Sequence, residues 1–577
     1  MEAIKNKSLF LSICLVLVGF FAFANTLPNQ MFWDDNDFIL NNGYVKNWHY
    51  TPNFFKENII AGANLYSNYW RPVLLGVFSI EWHLWGARPV GYHAVNLLFH
   101  LMNGLLLFII LQKLFRNYFL SFLPALIFLV HPLQTEAVSY ANSLGDSLSV
   151  FFILLGLWMF LLALSNVNRP YFKNWQYYVA VVMYPLALMS KEMAIIMPAL
   201  LGLIWWFADC YIVHPVTVVS EAQDLDPGQK WISDSQLPIQ PDSGRLEELE
   251  TADVFSPSGM TQGILKLIEV LGLFIVIAGV YIFLRATILN FGGTFNLYGN
   301  ENNLFTESVG VRIFTYFRIF NVYLGLLFWP QALHMERSVD WVSSFASIDV
   351  ILGAVFFFFV LLSGIWQSFK RKPLGFGLLW FLIALAPTSN IAVPINGLIY
   401  EHWLYLPLAG FFVALATIIC MIWEKFHHKV ILRYFFIGVL IIFIVGLFVR
   451  TVLRNTDWRD PITFYTKTLQ HSPNSYSINN NLAMEYANRQ NLAEAEKYYS
   501  RALQIEPNSA VVYFNLGNLY LAQGKINLAR QHYEQALSKD NKFWLAYPAL
   551  INLYKAINRP KDAEKIYKEY LENIKKN

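Results

Sequence analysis

Apolar runs long enough to cross a bilayer recur from residue 9 to residue 450 and then stop. A crossing takes ~20 residues, and in hydrocarbon its backbone groups must bond to one another, so each run is a helix. Crossings are expected at 9–27, 90–112, 118–131, 138–164, 176–190, 193–213, 264–287, 347–368, 374–388, 403–423 and 430–450. Two of them, 118–131 and 374–388, are short and need flanking residues or a thin bilayer to span. The chain is only 14% charged and 56% hydrophobic, against about 25% charged for a soluble domain. From about 455 onward it turns polar and helix-prone. The expected fold is therefore all-α: a polytopic membrane bundle of about 11 helices over 1–454, then a soluble helical region over 455–577. A net charge of +3 is too small for a nucleic-acid partner. Cys14, Cys210 and Cys420 all lie in apolar runs, which argues against a disulfide or metal framework.

The tail repeats itself. Pro473, Pro507 and Asn541 are 34 residues apart. Leu482-Ala483 and Tyr486 lead to Ala495, Tyr499 and Ala502; Leu516-Gly517 and Tyr520 lead to Ala529, Tyr533 and Ala536; Tyr547, Leu550 and Tyr554 lead to Ala563 and Tyr567. Small residues where two helices cross, aromatics between them and a helix-ending Pro make this resemble the tetratricopeptide repeat, in about three units behind a partial leading unit at 458–472. Such solenoids present a concave protein-binding surface and carry out no chemistry.

Lys and Arg in short loops set the orientation. Lys5 and Lys7, Lys113 and Arg116, Arg169 and Lys173, Lys370-Arg371-Lys372, and Lys425 with Lys429 share one side, taken as cytoplasm. The acidic, Ser/Pro-rich segment 211–262 joins them as a flexible loop. Eleven crossings then put the repeat tail outside. Residues 311–329 could span by apolarity, but they carry Arg312, Arg318 and Asn321 and are read as an interfacial helix. The stretch 70–87, interrupted by Glu81 and His83 within a long first external loop at 28–89, is read the same way.

This topology brings the unusual polar motifs to one face. Asp34-Asp35-Asn36-Asp37 follows the first span; His131 to Glu136, with Asn142 and Asp146, follows the third; Lys191-Glu192, Glu336-Arg337 and Glu401-His402 are outside too. Charges against a bilayer face are costly and commonly functional. Tandem Asp residues can serve as a general base or hold a divalent metal, and Arg71, Lys191 and Arg337 can neutralise a phosphate. A base, a phosphate clamp and access to lipid describe transfer of a group from a lipid-linked phosphate to a hydroxyl. Any metal ligands would be carboxylates, and spacing alone designates none.

On these residues the chain resembles the C-type glycosyltransferases, which use polyprenyl-phosphate sugars, and most closely the transmembrane-and-tetratricopeptide protein O-mannosyltransferases and their bacterial relatives. The matching pieces are Trp33-Asp34-Asp35, Tyr69-Trp70-Arg71-Pro72, His93 to His100, His131-Pro132 with Thr135-Glu136-Ala137-Val138, Ser190-Lys191-Glu192 and Tyr405-Leu406-Pro407. The resemblance implies Asp34 and Asp35 as catalytic acids. It implies a substrate-binding set of Arg71, His131, Glu136, Asp146, Lys191, Glu192, Glu336, Arg337, Glu401 and His402. Two places depart from the family's pattern: Leu144-Gly145-Asp146 lacks an Arg, and Glu401 is followed by His402 where relatives carry Arg.

Bland alternatives exist for each residue. Asp34 and Asp35 could cap a helix, Glu136 could answer a helix dipole, Asp146 could bind a neighbouring helix, and Lys191 with Glu192 could pair at a turn. His93 and His100 are expected to pack. The implied activity moves a sugar, with mannose the family's choice, from a polyprenyl phosphate to Ser or Thr of a protein on the outer face. The expected partners are that lipid-linked sugar, membrane lipid, and an acceptor polypeptide or partner protein on the tail. The setting is a bacterial inner membrane, or the endoplasmic reticulum membrane in a eukaryote. The competing readings are a membrane-anchored assembly or receptor protein, and a lipid-linked glycan ligase or transporter.

Overall fold

The computed structural model describes residues 2–166, 170–208, 257–291, 304–328, 330–337, 339–395 and 397–575. Among them no strand occurs, and the chain divides into two units: Met1–Gln331 with Val339–Thr456, and Ala332–Ser338 with Asp457–Asn577. The expected flexible loop at 211–262 lies outside the described residues as far as 256; from Pro257 the chain is already helical.

Among the described residues, eight helices of the first unit are long and apolar enough to cross a membrane, or nine with the bent pair Tyr118–Val130 and Pro132–Ser139. The bend is 55°, and it begins where His131 leaves the helix with an extended backbone before Pro132, whose ring cannot follow a helical residue without a clash. The expected crossing at 138–164 is likewise interrupted: it is a regular helix only over Leu144–Leu164, behind short turns at Thr135–Ser139 and Ala141–Ser143. The expected crossings at 176–190, 193–213 and 374–388 are the shorter helices Trp175–Leu188, Met197–Ala208 and Pro373–Leu385.

The helices run back and forth between two ends of this unit. At one end Asn455 binds Ala22 and Asn25, Asn96 binds Tyr140, and Thr451 binds Val130. At the other, Phe115 packs on Phe376 and the Arg371 guanidinium lies 3.9 Å over Trp206. Small residues permit the tightest crossings. A Cβ on Gly377 would meet the Ala414 nitrogen at 2.5 Å, and one on Gly410 the Gly377 carbonyl oxygen at 2.6 Å.

Val309–Phe328 is long and apolar enough to span, yet both of its ends bond to the first of these ends. Arg312 donates to Ile391, Tyr323 to Tyr400, and Arg450 to Pro330 and Gln331 just beyond the helix. The helix therefore lies across that end. Its polar residues are met by the chain itself: Arg312 also caps Phe305 and Thr306, and Asn321 binds Asp349. The segment 70–87 forms a helix of only 14 residues, Pro72–Trp85, whose Leu74, Leu75 and Phe78 pack against Ile39, Val45 and Phe54 of the first loop.

The second unit pairs Tyr476–Asn488 with Leu492–Ile505, Ala510–Ala522 with Ile526–Lys539, and Ala546–Ala556 with Pro560–Tyr570, behind a leading helix Pro461–His471. Ala483, Ala495, Ala502, Ala529 and Ala536 are fully buried between helices, and a Cβ on Gly517 would strike the Tyr533 ring at 2.5 Å. Ser475 and Ser509 cap their helices by accepting from Ile478 and Val512, which satisfies first-turn N–H groups.

Candidate functional site

The first loop turns sharply at Trp33, whose φ of 58° is a left-handed conformation that non-glycine residues adopt at a cost. Two contacts hold that turn. The Asp34 N–H donates to the Tyr140 hydroxyl at 3.0 Å, and the Tyr140 ring lies 6.3 Å from that of Trp33 and 6.2 Å from that of Phe32. Asp35 is fully buried and accepts from the N–H groups of Phe32 at 3.0 Å and Asn142 at 2.8 Å. It staples the loop to the turn before Leu144–Leu164.

The two acids thus differ. Asp35 has both oxygens committed to backbone donors, whereas Asp34 is half-buried. Burial first, then the charge of Asp37, pushes the Asp34 carboxyl up to about 6, while the Tyr140 hydroxyl pulls it back. Burial raises Asp35 well above the carboxylate range against its two backbone donors, and burial also raises Asp37. No cation stands within ion-pair distance of Asp34 or Asp35 among the described residues.

A belt of buried and half-buried ion pairs occupies the same end of the unit. Arg71, just before Pro72, grips Glu192 with Nε–Oε2 at 3.0 Å and Nη2–Oε1 at 2.6 Å, and lies 4.7 Å over the Tyr69 ring. Lys191 Nζ meets Asp146 Oδ1 at 2.6 Å in the first turn of Leu144–Leu164. Lys191 and Glu192 therefore each bind a distant acid or base, and the expected alternative of a local pair at the turn does not hold. Glu136 accepts from the N–H groups of Glu401 at 3.0 Å and His402 at 3.2 Å and meets His402 Nδ1 at 2.6 Å. Glu401 pairs with Arg454 at 3.5 Å, both buried. A cavity of about 30 Å³ lies between Asp146, Lys191, Thr388, His402 and Tyr405; it is large enough for water but not for a sugar. Tyr69 lies within electrostatic reach of Asp34, Glu192 and Arg71, which connects the acidic loop to the belt.

The structure therefore brings together Asp34, Asp35, Arg71, Glu136, Asp146, Lys191, Glu192, Glu401 and His402. His131 is buried beneath them, its Nδ1 accepting from Leu133 and its ring packed 5.2 Å from Phe412. Glu336 and Arg337 belong to the second unit, where Glu336 accepts from Ser475 at 2.7 Å and Ser477 at 3.1 Å through its carboxylate and from Ser472 through its backbone oxygen. His93 and His100 pack as expected, against Asn29 and Tyr405.

Sequence reasoning missed Tyr140, Arg454 and Arg285. Arg454 ends an apolar helix, where a cation reads as ordinary snorkelling, yet it pairs with Glu401. Arg285, at the end of Pro257–Ala286, donates to the carbonyl oxygens of Asn68 and Leu289 next to the Arg71 loop. Among the described residues no three His, Cys, Asp or Glu side chains converge as a metal-ligand set.

Two family models, both described as tetratricopeptide repeat, match residues 474–542 and 514–577. The human protein O-mannosyl-transferase TMTC4 is 24% identical over 527 residues, covering 83% of this chain and 64% of the relative. The Caenorhabditis elegans protein O-mannosyl-transferase F38B6.6 is 22% identical over 505 residues, covering 86% and 62%. The chain thus spans somewhat under two thirds of the length of these relatives and is similar to them over most of its own. Among solved structures, an archaeal oligosaccharyltransferase from Archaeoglobus fulgidus, in complex with an inhibitory peptide and a dolichol-phosphate, aligns at 12% identity and a TM-score of 0.38, over 79% of this chain and 56% of that one.

Proposed function

We propose that this chain transfers a sugar from a polyprenyl-phosphate donor to a hydroxyl acceptor, Ser or Thr of a protein, with Asp34 as the general base. The observation that carries the reading is the contrast within the acid pair. Asp34 is only half-buried, has no cation within ion-pair distance among the described residues, and has its carboxyl pushed up by burial to about 6, near where a base works at neutral pH. Asp35 is buried and holds the loop in place. In the proposed step the acceptor oxygen bonds to the anomeric carbon as the bond from that carbon to the phosphate oxygen breaks. The polyprenyl phosphate leaves with the electron pair, and the acceptor proton passes to Asp34.

In the belt each acid is matched by one base. Arg71 and Lys191 reach a donor phosphate by exchanging Glu192 and Asp146 for it, and Arg285 adds a third cation beside Arg71. Glu136, His402, Glu401 and Arg454 hold the opposite wall, with His131 beneath. Mannose is the sugar proposed, as the sugar named for the similar O-mannosyl-transferases. For topology, the shorter apolar helices are counted as passes, and Val309–Phe328 as lying across the outer end. Eleven passes result, with the acidic loop and the repeat unit both outside the cytoplasm of a bacterial inner membrane or in the lumen of the endoplasmic reticulum. The repeats would then capture extended polypeptide and offer it as acceptor.

The test is transfer from polyprenyl-phosphate mannose to a Ser/Thr peptide by the purified full chain in lipid vesicles. Wild-type transfer that is lost in Asp34→Asn and retained in Asp37→Asn supports the assignment. Unimpaired transfer by Asp34→Asn overturns it.

A further inference from the structure

The opposite end of the membrane unit holds a groove of about 350 Å³, far larger than the cavity in the ion-pair belt. Its walls are Phe119, Cys420, Trp423, Phe436, Ile437 and Leu440. It opens because Pro407–Phe426 and Val430–Asn455 are joined by a short turn yet diverge; the second helix is so loosely held that only 11% of its most apolar stretch is buried. Phe119 and Ile437 are 39% and 38% exposed, so these walls face outward.

The side-chain stripes that line the groove continue into cations. On Val430–Asn455, Phe436, Ile437 and Leu440 lie three, four and seven residues after Arg433, on one helical face. On Pro407–Phe426, Cys420, Trp423 and Glu424 lead to His427, whose ring stacks 6.2 Å from Trp423. Lys429 lies in the turn between the helices. From the third wall Asn117 caps its helix through Phe119 and Leu120, next to exposed Arg116. None of Arg116, Lys425, Lys429 and Arg433 has a carboxylate within ion-pair distance among the described residues. Glu424 is the acid on the groove wall, and the surrounding cations outnumber it. This is also the end of Lys370 to Lys372 and of Lys7, whose Nζ lies 4.6 Å over Tyr118.

An apolar slot open to the side, ringed at its mouth by a Trp and by cations that have no carboxylate partner among the described residues, matches an acyl chain with an anionic head. A soluble anion would need no apolar slot, and a neutral lipid no cations. We propose that this groove is a binding site for an anionic phospholipid, one acyl chain lying between the two helices and the phosphate meeting Lys429 and Arg433. The site is separate from the sugar-transfer reading and stands or falls independently of it.

Native mass spectrometry of the full chain in detergent, with dioleoyl phosphatidylglycerol and dioleoyl phosphatidylcholine added in turn, tests it. Each juxtamembrane cation is worth roughly a factor of five, so phosphatidylglycerol should be retained about 25-fold better, and Lys429→Ala with Arg433→Ala should lower its retention by about the same factor and leave phosphatidylcholine unchanged. Leu440→Trp, which fills the slot without touching the charges, should lower retention of both. Because the double variant could misfold, Arg433→Lys serves as a second probe and should keep the preference. Equal retention of the two lipids overturns the proposal, as does a preference that survives both the charge and the filling variants. Displacement of phosphatidylglycerol by an equimolar polyprenyl phosphate also overturns it.

Discussion

The acidic loop at 32–37 and the ion-pair belt put charge into the same buried end of the membrane unit in opposite ways. The belt matches every acid with a base: Arg71 with Glu192, Lys191 with Asp146, His402 with Glu136, Arg454 with Glu401. The loop leaves Asp34 and Asp35 to hydroxyl and backbone donors alone. Pairing stabilises the ionised form of a carboxylate and keeps it from taking a proton near neutral pH. Burial without a cation lifts a carboxyl toward neutral pH, where it can accept a proton. The same residue type thus does two jobs, and the partner decides which.

The largest effect that would break this comparison is in the loop. Asp34→Asn should lower transfer by at least about a hundredfold, the lower range for a lost general base, with the fold intact by thermal unfolding. In the belt, Arg454→Met should cost stability rather than chemistry. It leaves Glu401 buried without its cation, at about 3–5 kcal/mol, whereas Arg454→Met combined with Glu401→Leu should recover most of that loss. Thermal unfolding of the two variants in one detergent decides; equal destabilisation would mean that the pair contributes nothing as a pair.

The pH dependence sharpens the contrast. Asp34 must be ionised to act, so the initial rate should rise with pH through about 6 and level off above it. Tyr140→Phe removes a contact that pulls the Asp34 carboxyl down, so its acid limb should move to higher pH. Asp37→Asn removes a charge that pushes it up, so its limb should move lower. Limbs that stay in place in both variants would take Asp34 out of the rate. Smallest of all, Glu336→Gln should leave transfer within about twofold of wild type, since its carboxylate binds Ser475 and Ser477 within the repeats; such hydrogen bonds are worth about 1 kcal/mol each.

Much of this was legible beforehand. Apolar runs reported the membrane helices because hydrocarbon leaves the backbone no other choice. The 34-residue period reported the repeats because small residues recur wherever two helices must cross. The acids of the site could be named because charge beside a bilayer stands out. Their partners could not. Lys191 and Glu192 are neighbours in sequence, and only the packing sends one to Asp146 and the other to Arg71. Arg454 cannot be told from an ordinary helix-end cation until its pairing with Glu401 is seen.

What the sequence determined by itself, then, is composition and period: a helical membrane unit, a tetratricopeptide-like tail, and a short set of candidate acids. Only the tertiary structure decided that Asp35 is the staple and Asp34 the reachable acid, because both are Asp and only their neighbours differ. The difference comes from Phe32, Tyr140 and Asn142. One of these is three residues away and two are more than a hundred, and no local pattern records who donates a hydrogen bond across that distance.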